Sequence, residues 1–222
     1  MRGLKLLVFD CDGVLFDSRL ANREYYNFIL EKSGRSPLTE EELEYVHMHS
    51  LTECIEYLFR NHPELKEKAL KIAQNTPYSK FFKYMKMEEG LKEFLDWAYS
   101  RYYLALCTNR TTSTKPLLQY FGLENYFQLI RTALDIPKSD PKALASILEY
   151  FQVSPREALY VGDSKVDENL CLSCGVPLIS FKNPHLKALR IISNFAELRS
   201  FLENSSFPKD DFFYSAGSQK SS

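Results

Sequence analysis

The chain commits itself early. Leu6-Leu7-Val8-Phe9 is an unbroken apolar run, and Asp10-Cys11-Asp12-Gly13-Val14 follows it directly. An apolar run containing a β-branched and an aromatic residue predicts a buried strand. Two carboxylates at its end must emerge into a polar crevice, because burying unpaired charge is too costly. Gly13 allows a sharp turn after them. Two acidic groups at one strand end suit a hard cation such as Mg2+. They also suit a division of labour between a nucleophile and a general acid/base.

Further strand signals follow. Tyr103–Cys107 runs into Thr108-Asn109-Arg110, and Ala158–Val161 runs into Gly162-Asp163-Ser164. Pro177–Phe181 follows Gly175, and 129–132 is a shorter candidate. Amphipathic helices are predicted between them at 90–99, 114–121, 141–151 and 165–174, with a last helix at 196–203. Such alternation predicts an α/β fold with a doubly wound, parallel-sheet (Rossmann-like) core. In such sheets ligands sit at the carboxyl ends of the strands. The polar residues above fall at those ends.

Residues 18–87 break the alternation. Helical periodicity recurs at 20–32, 40–47 and 52–59, with helix punctuation at Ser36-Pro37, Thr39 and His62-Pro63. This is too long for a simple crossover and predicts a helical cap inserted after the first strand. The expected division is therefore a core of 1–16 and 88–204, a cap of 17–87, and a flexible C-terminal tail of 205–222. Asp17 and Ser18 are expected to cap the first cap helix.

Composition narrows the classes. A length of 222 residues and 45% hydrophobic content suffice for a core plus an insert. A net charge of −1 gives no reason to expect nucleic acid or an anionic membrane, and no run approaches a membrane span. The chain enters its first strand almost at once, so no signal peptide is expected. Five cysteines, several in apolar elements, fit a reducing cytoplasm. Cys171-Leu-Ser-Cys174 has metal-ligand spacing but lacks a second pair, and reads as small helix residues.

Four strand ends thus carry Asp10 and Asp12, Thr108 and Asn109, Lys138, and Asp163 with Asp167. In this order they resemble the haloacid dehalogenase-like hydrolase superfamily, in the subclass with a helical C1-type cap that contains phosphoglycolate phosphatase. Asp10 to Ser18 matches the first motif, Leu106-Cys-Thr108-Asn109 the second, and Gly162-Asp163-Ser164-Lys-Val-Asp167 the fourth. For the third, Lys138-Ser-Asp-Pro141-Lys142-Ala-Leu144 places Pro141 and Leu144 where the pattern wants them. Lys138 is therefore preferred to its neighbour Lys142.

The resemblance implies a Mg2+-dependent phosphatase acting on a small phosphorylated metabolite, as a monomer or homodimer. Asp10 would be the nucleophile, forming an aspartyl-phosphate, and Asp12 the general acid/base. Mg2+ would be held by Asp10, the Asp12 carbonyl and Asp163, with Asp167 one layer out. Thr108, Asn109 and Lys138 would bind the phosphoryl group. Asp12 argues against dehalogenation, since halide leaves without a proton. A sugar phosphomutase resembling β-phosphoglucomutase, or a phosphate-binding module without turnover, are the alternatives. The mutases carry a cap histidine soon after the first motif, whereas Arg19–Tyr26 has none. Between the second and third cap helices, where relatives place a glycine-containing specificity loop, this chain has His47-Met48-His49-Ser50-Leu51-Thr52. Those two histidines are either substrate contacts or ordinary helix-end residues. Arg110 is likewise open between a substrate contact and a surface charge at a helix entry.

Overall fold

The computed structural model describes residues 3–204. The tail expected over 205–222 lies outside the described residues. Strand β1 (Leu6–Phe9) is buried along its whole length. Its side chains alternate between two cores: Leu7 and Phe9 join one cluster, Leu6 and Val8 the other. A strand covered on both faces has no polar side to show, hence the unbroken apolar run.

Five more strands complete the sheet: β4 (Tyr103–Cys107), β5 (Leu129–Arg131), β6 (Ala158–Gly162), β7 (Leu178–Phe181) and β8 (Arg190–Ile192). Their order is β5-β4-β1-β6-β7-β8, and every pairing is parallel. The chain leaves β1 for β4 and β5 on one side, then crosses to β6 and β7 on the other. The reversal leaves a crevice above the end of β1, and Asp10 is the first residue past that end. β8 is not foreseen by the sequence reading: it has three residues, two of them exposed.

Core helices are α5 (Leu91–Tyr99), α6 (Thr114–Tyr120), α7 (Lys142–Phe151), α8 (Lys165–Cys174) and α9 (Phe195–Asn204). Side chains of α5, α6 and α9 pack on the Phe9 face, and those of α7 and α8 on the Leu6 face. Cys171 is buried and Cys174 half-buried, as packing residues.

Between β1 and β4 lie α1 (Arg19–Ser33), α2 (Glu40–Met48), α3 (Leu51–Leu58) and α4 (Lys66–Gln74), then a 3-10 helix at Tyr78–Tyr84. They enclose a third apolar cluster that includes Tyr25, Tyr26, Ile29, Leu43, Ile55 and Phe59. The buried stripe of α1 recurs with helical period: Asn22, Tyr25, Tyr26, Ile29, Leu30, Ser33. Thr39 with Glu42 and Ser50 with Glu53 form capping boxes that start α2 and α3. At α1 the expected cap is only half present. Asp17 Oδ1 accepts the Arg19 N–H at 3.2 Å, while the Ser18 hydroxyl makes no capping bond. Chain entry and exit run side by side as an antiparallel ribbon of β2 (Phe16–Asp17) and β3 (Lys86–Met87). No helix of the described residues is long and apolar enough to cross a membrane.

Candidate active site

The backbone N–H of Asp10 donates to Val161 O at 2.9 Å, which ties the start of the acidic turn to β6. The turn then tightens: Gly13 N donates to Phe16 O at 2.8 Å and Leu15 N to Cys11 O at 2.9 Å. Gly13 has φ +75°, and a Cβ there would lie 1.9 Å from Asp163 Oδ2. Only glycine lets this turn close against the carboxylate from the neighbouring strand end. Gly162 plays a similar part, since a Cβ there would lie 2.6 Å from Asp167 Cβ.

Oxygens of Asp10, Asp163 and Asp167 come within 4.8 Å of one another. Lys138, only 3% exposed, bridges two of them, with Nζ 2.9 Å from Asp10 Oδ1 and 2.7 Å from Asp167 Oδ1. Asp167 has both oxygens engaged. Oδ1 meets Lys138 and lies 2.9 Å from the Tyr160 hydroxyl, and Oδ2 accepts from the Ser164 hydroxyl at 2.6 Å and its N–H at 3.1 Å. The helix start is capped by Ser164, which leaves the Asp163 carboxylate out of the capping box. Lys142, by contrast, is exposed on the first turn of α7.

One lysine cannot neutralise three carboxylates. Burial, opposed by Lys138 and reinforced by Asp167 and Asp12, raises Asp10 to about 7. Burial and the neighbouring Asp10 push Asp163 well above the usual carboxylate range. Asp167 is also penalised by burial, but Lys138 and its hydrogen bonds hold it low. Close, oxygen-only and short of positive charge, this set fits a hard divalent cation.

Asp12 has a different environment. Arg110 Nη2 donates to its Oδ1 at 2.7 Å, and Nη1 donates to Ser113 Oγ at 3.2 Å. Against the penalty of burial, that guanidinium holds Asp12 below its ordinary range. Arg110 stacks over the Tyr78 ring at 4.6 Å and is only 8% exposed, so it is not a surface charge. Thr108 Oγ1 accepts the Arg110 N–H at 3.1 Å, which leaves its hydroxyl proton free to donate. Asn109 spans two regions: its Oδ1 accepts from Lys138 N at 3.0 Å, and its Nδ2 donates to Met48 O at 3.0 Å.

Asp10, Asp12, Thr108, Asn109, Arg110 and Lys138 share a cavity of about 390 Å³ that reaches under α1 and α2. His47 and His49 both line it. His47 Nδ1 lies 3.1 Å from Asn22 Nδ2, and burial favours its neutral form. His49 stacks on Tyr45 at 3.8 Å, with Nδ1 2.8 Å from Tyr45 O. The sequence reading misses Asn22, Tyr78 and Tyr160. Asn22 alone carried a signal, as a polar residue in the apolar stripe of α1.

The sequence model of a family described as haloacid dehalogenase-like hydrolase matches residues 7–181. A phosphoglycolate phosphatase of Pseudomonas putida is 27% identical over 190 residues, covering 79% of this chain and 68% of that protein. A haloacid dehalogenase-superfamily hydrolase of Geobacter sulfurreducens, subfamily IA, has a solved structure. It is 38% identical with a TM-score of 0.73, over 90% of this chain and 96% of that one. A predicted phosphoglycolate phosphatase from Haemophilus somnus superposes with a TM-score of 0.76 at 20% identity, over 90% and 98% of the two chains. At that identity the last likeness concerns the fold.

Proposed function

We propose that this chain, which belongs to the haloacid dehalogenase-like hydrolase family, is a Mg2+-dependent phosphatase that hydrolyses a small phosphomonoester through an aspartyl-phosphate. The observation that carries this reading is that Asp10, Asp12 and Lys138 line one cavity at the strand ends, with a carboxylate oxygen of Asp163 within 4.8 Å of one of Asp10. Named phosphatases among its relatives support it.

The cap division at 17–87 belongs to the same proposal, with α1 to α4 as a lid of their own apolar cluster. Asp10, Asp163 and the carbonyl of Asp12 would hold Mg2+, with Asp167 behind them positioning Lys138. Bound there, the cation offsets the carboxylates that would otherwise repel a dianionic phosphate.

The chain's own groups then divide the work. An Asp10 carboxylate oxygen bonds to phosphorus as the bond to the ester oxygen breaks. Asp12 gives its proton to that departing oxygen, so the alcohol leaves neutral. Arg110 keeps Asp12 ionised in the free site, and the arriving phosphate dianion favours the protonated acid, as a nearby like charge does. Asp12 next takes a proton from water, whose oxygen attacks phosphorus and releases the Asp10 carboxylate and inorganic phosphate. Thr108 donates its hydroxyl proton to a phosphoryl oxygen, and Lys138 places a point charge beside it. Phosphoryl transfer asks mainly for such positioning and charge stabilisation.

The experiment is phosphate release from 4-nitrophenyl phosphate. We expect turnover with Mg2+, almost none in EDTA, and almost none from Asp10→Asn. Equal rates with and without metal, or full activity in that variant, would overturn the reading.

A further inference from the structure

The cavity above Asp10 extends beyond what a phosphoryl group needs. It continues under the helices to Tyr25, Tyr26, Val46, Ala73 and Pro77, a wall of rings and small aliphatic groups. Residues between β1 and β4 contribute no Asp, Glu, Lys or Arg to its lining apart from Asp10 and Asp12 at the floor. The two cations that line it, Arg110 and Lys138, come from the sheet side and are already paired, Arg110 with Asp12 and Lys138 with Asp10 and Asp167. The polar groups of the upper wall are the Asn22 and Gln74 amides, the Thr52 and Thr76 hydroxyls, the Tyr25 and Tyr26 phenols, His47, which burial keeps toward its neutral form, and His49, whose Nδ1 is taken up by Tyr45 O at 2.8 Å.

A second anionic group on the substrate would find no free lysine or arginine against this wall, and an unpaired charge there is costly. An apolar group would find rings and methyls to replace the water it gives up. We infer that the leaving alcohol is uncharged and mainly apolar, an alkyl or aryl group larger than glycolate, lodged between the phosphoryl floor and the wall of Tyr25 and Tyr26. This rests on the phosphatase reading above and names its substrate class. Phosphoglycolate, the substrate in the names of several relatives, carries a carboxylate, so this chain is expected to have parted from them in specificity.

Straight-chain alkyl phosphates from methyl to hexyl test it, because their leaving alcohols differ little in acidity. At saturating Mg2+ we expect kcat/KM to rise about fourfold for each methylene added, the gain from burying one, until the cavity is full. Phosphoglycolate should fall at least tenfold below butyl phosphate. Ala73→Leu, which fills the upper wall, should lower the butyl-to-methyl ratio of kcat/KM at least tenfold. A series that is flat or falls from ethyl onward, phosphoglycolate above butyl phosphate, or an unchanged ratio in Ala73→Leu would overturn the inference and leave the phosphatase reading standing. No hydrolysis of any ester would instead remove the phosphatase reading itself.

Discussion

Asp10→Asn tests the electrostatics of the site without asking for turnover. Burial raises the Asp10 carboxyl from 3.8 to about 7, with Lys138 only partly opposing it. The folded chain therefore holds a proton that the unfolded chain has lost between about pH 4 and 7. Stability from this group must fall as pH rises through that window. At ~1.4 kcal/mol per tenfold, the loss above pH 7 is on the order of 4 kcal/mol, shrinking to under about 1 kcal/mol near pH 4. Asparagine keeps the size and removes the charge. In EDTA near pH 8, Asp10→Asn should then be the more stable protein, with Tm raised by about 2–4 °C for each kcal/mol recovered. Near pH 4 the two proteins should nearly coincide. Adding Mg2+ near pH 8 should raise Tm of the natural chain more than that of the variant, which has lost a ligand. Thermal unfolding followed by circular dichroism at both pH values, with and without Mg2+, reads all of this. A variant less stable than the natural chain near pH 8, or an advantage that does not grow with pH, would refute the reasoning.

Lys138→Ala should lose at least about a hundredfold in kcat/KM, as removal of a buried electrostatic stabiliser commonly costs ~2.7–4 kcal/mol. The exposed Lys142→Ala should lose less than about threefold, and steady-state kinetics on one substrate would show the reverse ranking if the third motif were misassigned. Gly13→Ala should abolish the Mg2+-induced rise in Tm, because its Cβ would fall 1.9 Å from Asp163 Oδ2; an unchanged rise would exclude Asp163 as a ligand. Arg110→Met removes the group that lowers Asp12, so Asp12 should stay protonated to higher pH and the alkaline limb of the pH–kcat profile should move upward. A limb that stays in place would separate Asp12 from the proton transfer.

What the sequence makes legible is whatever leaves a periodic or punctuated trace. β1 declares itself because both its faces are buried. The capping boxes at Thr39 and Ser50 mark their helices by residue spacing alone. Lys138 can be told from Lys142 by the positions of Pro141 and Leu144. Arg110 leaves no such trace, since a single cation after a strand looks the same whether it meets water or Asp12. The 3-10 helix at Tyr78–Tyr84 also escapes, because seven residues are too few for the helical spacing of Tyr78, Phe81 and Phe82 to repeat. Yet Tyr78 is the ring on which Arg110 rests. Asp167 is readable as a motif member, but not as the residue that holds Lys138 through Oδ1 while Ser164 fixes its Oδ2.

The ribbon of β2 and β3 gives the molecule a second kind of modularity. Phe16 faces Met87 and Asp17 faces Lys86, so the helical segment leaves the sheet and returns to it through a doorway one strand pair wide. To the rest of the chain, everything from α1 to the 3-10 helix is topologically a long hairpin loop. Lengthening, shortening or exchanging it leaves the strand order and the spacing of Asp10, Thr108, Lys138 and Asp163 untouched, while closing a longer loop costs only about 0.6 kcal/mol per doubling. In the proposed reaction, the part of the protein that would meet the leaving group can thus be rewritten by insertion and deletion, with the part that would meet phosphorus held constant.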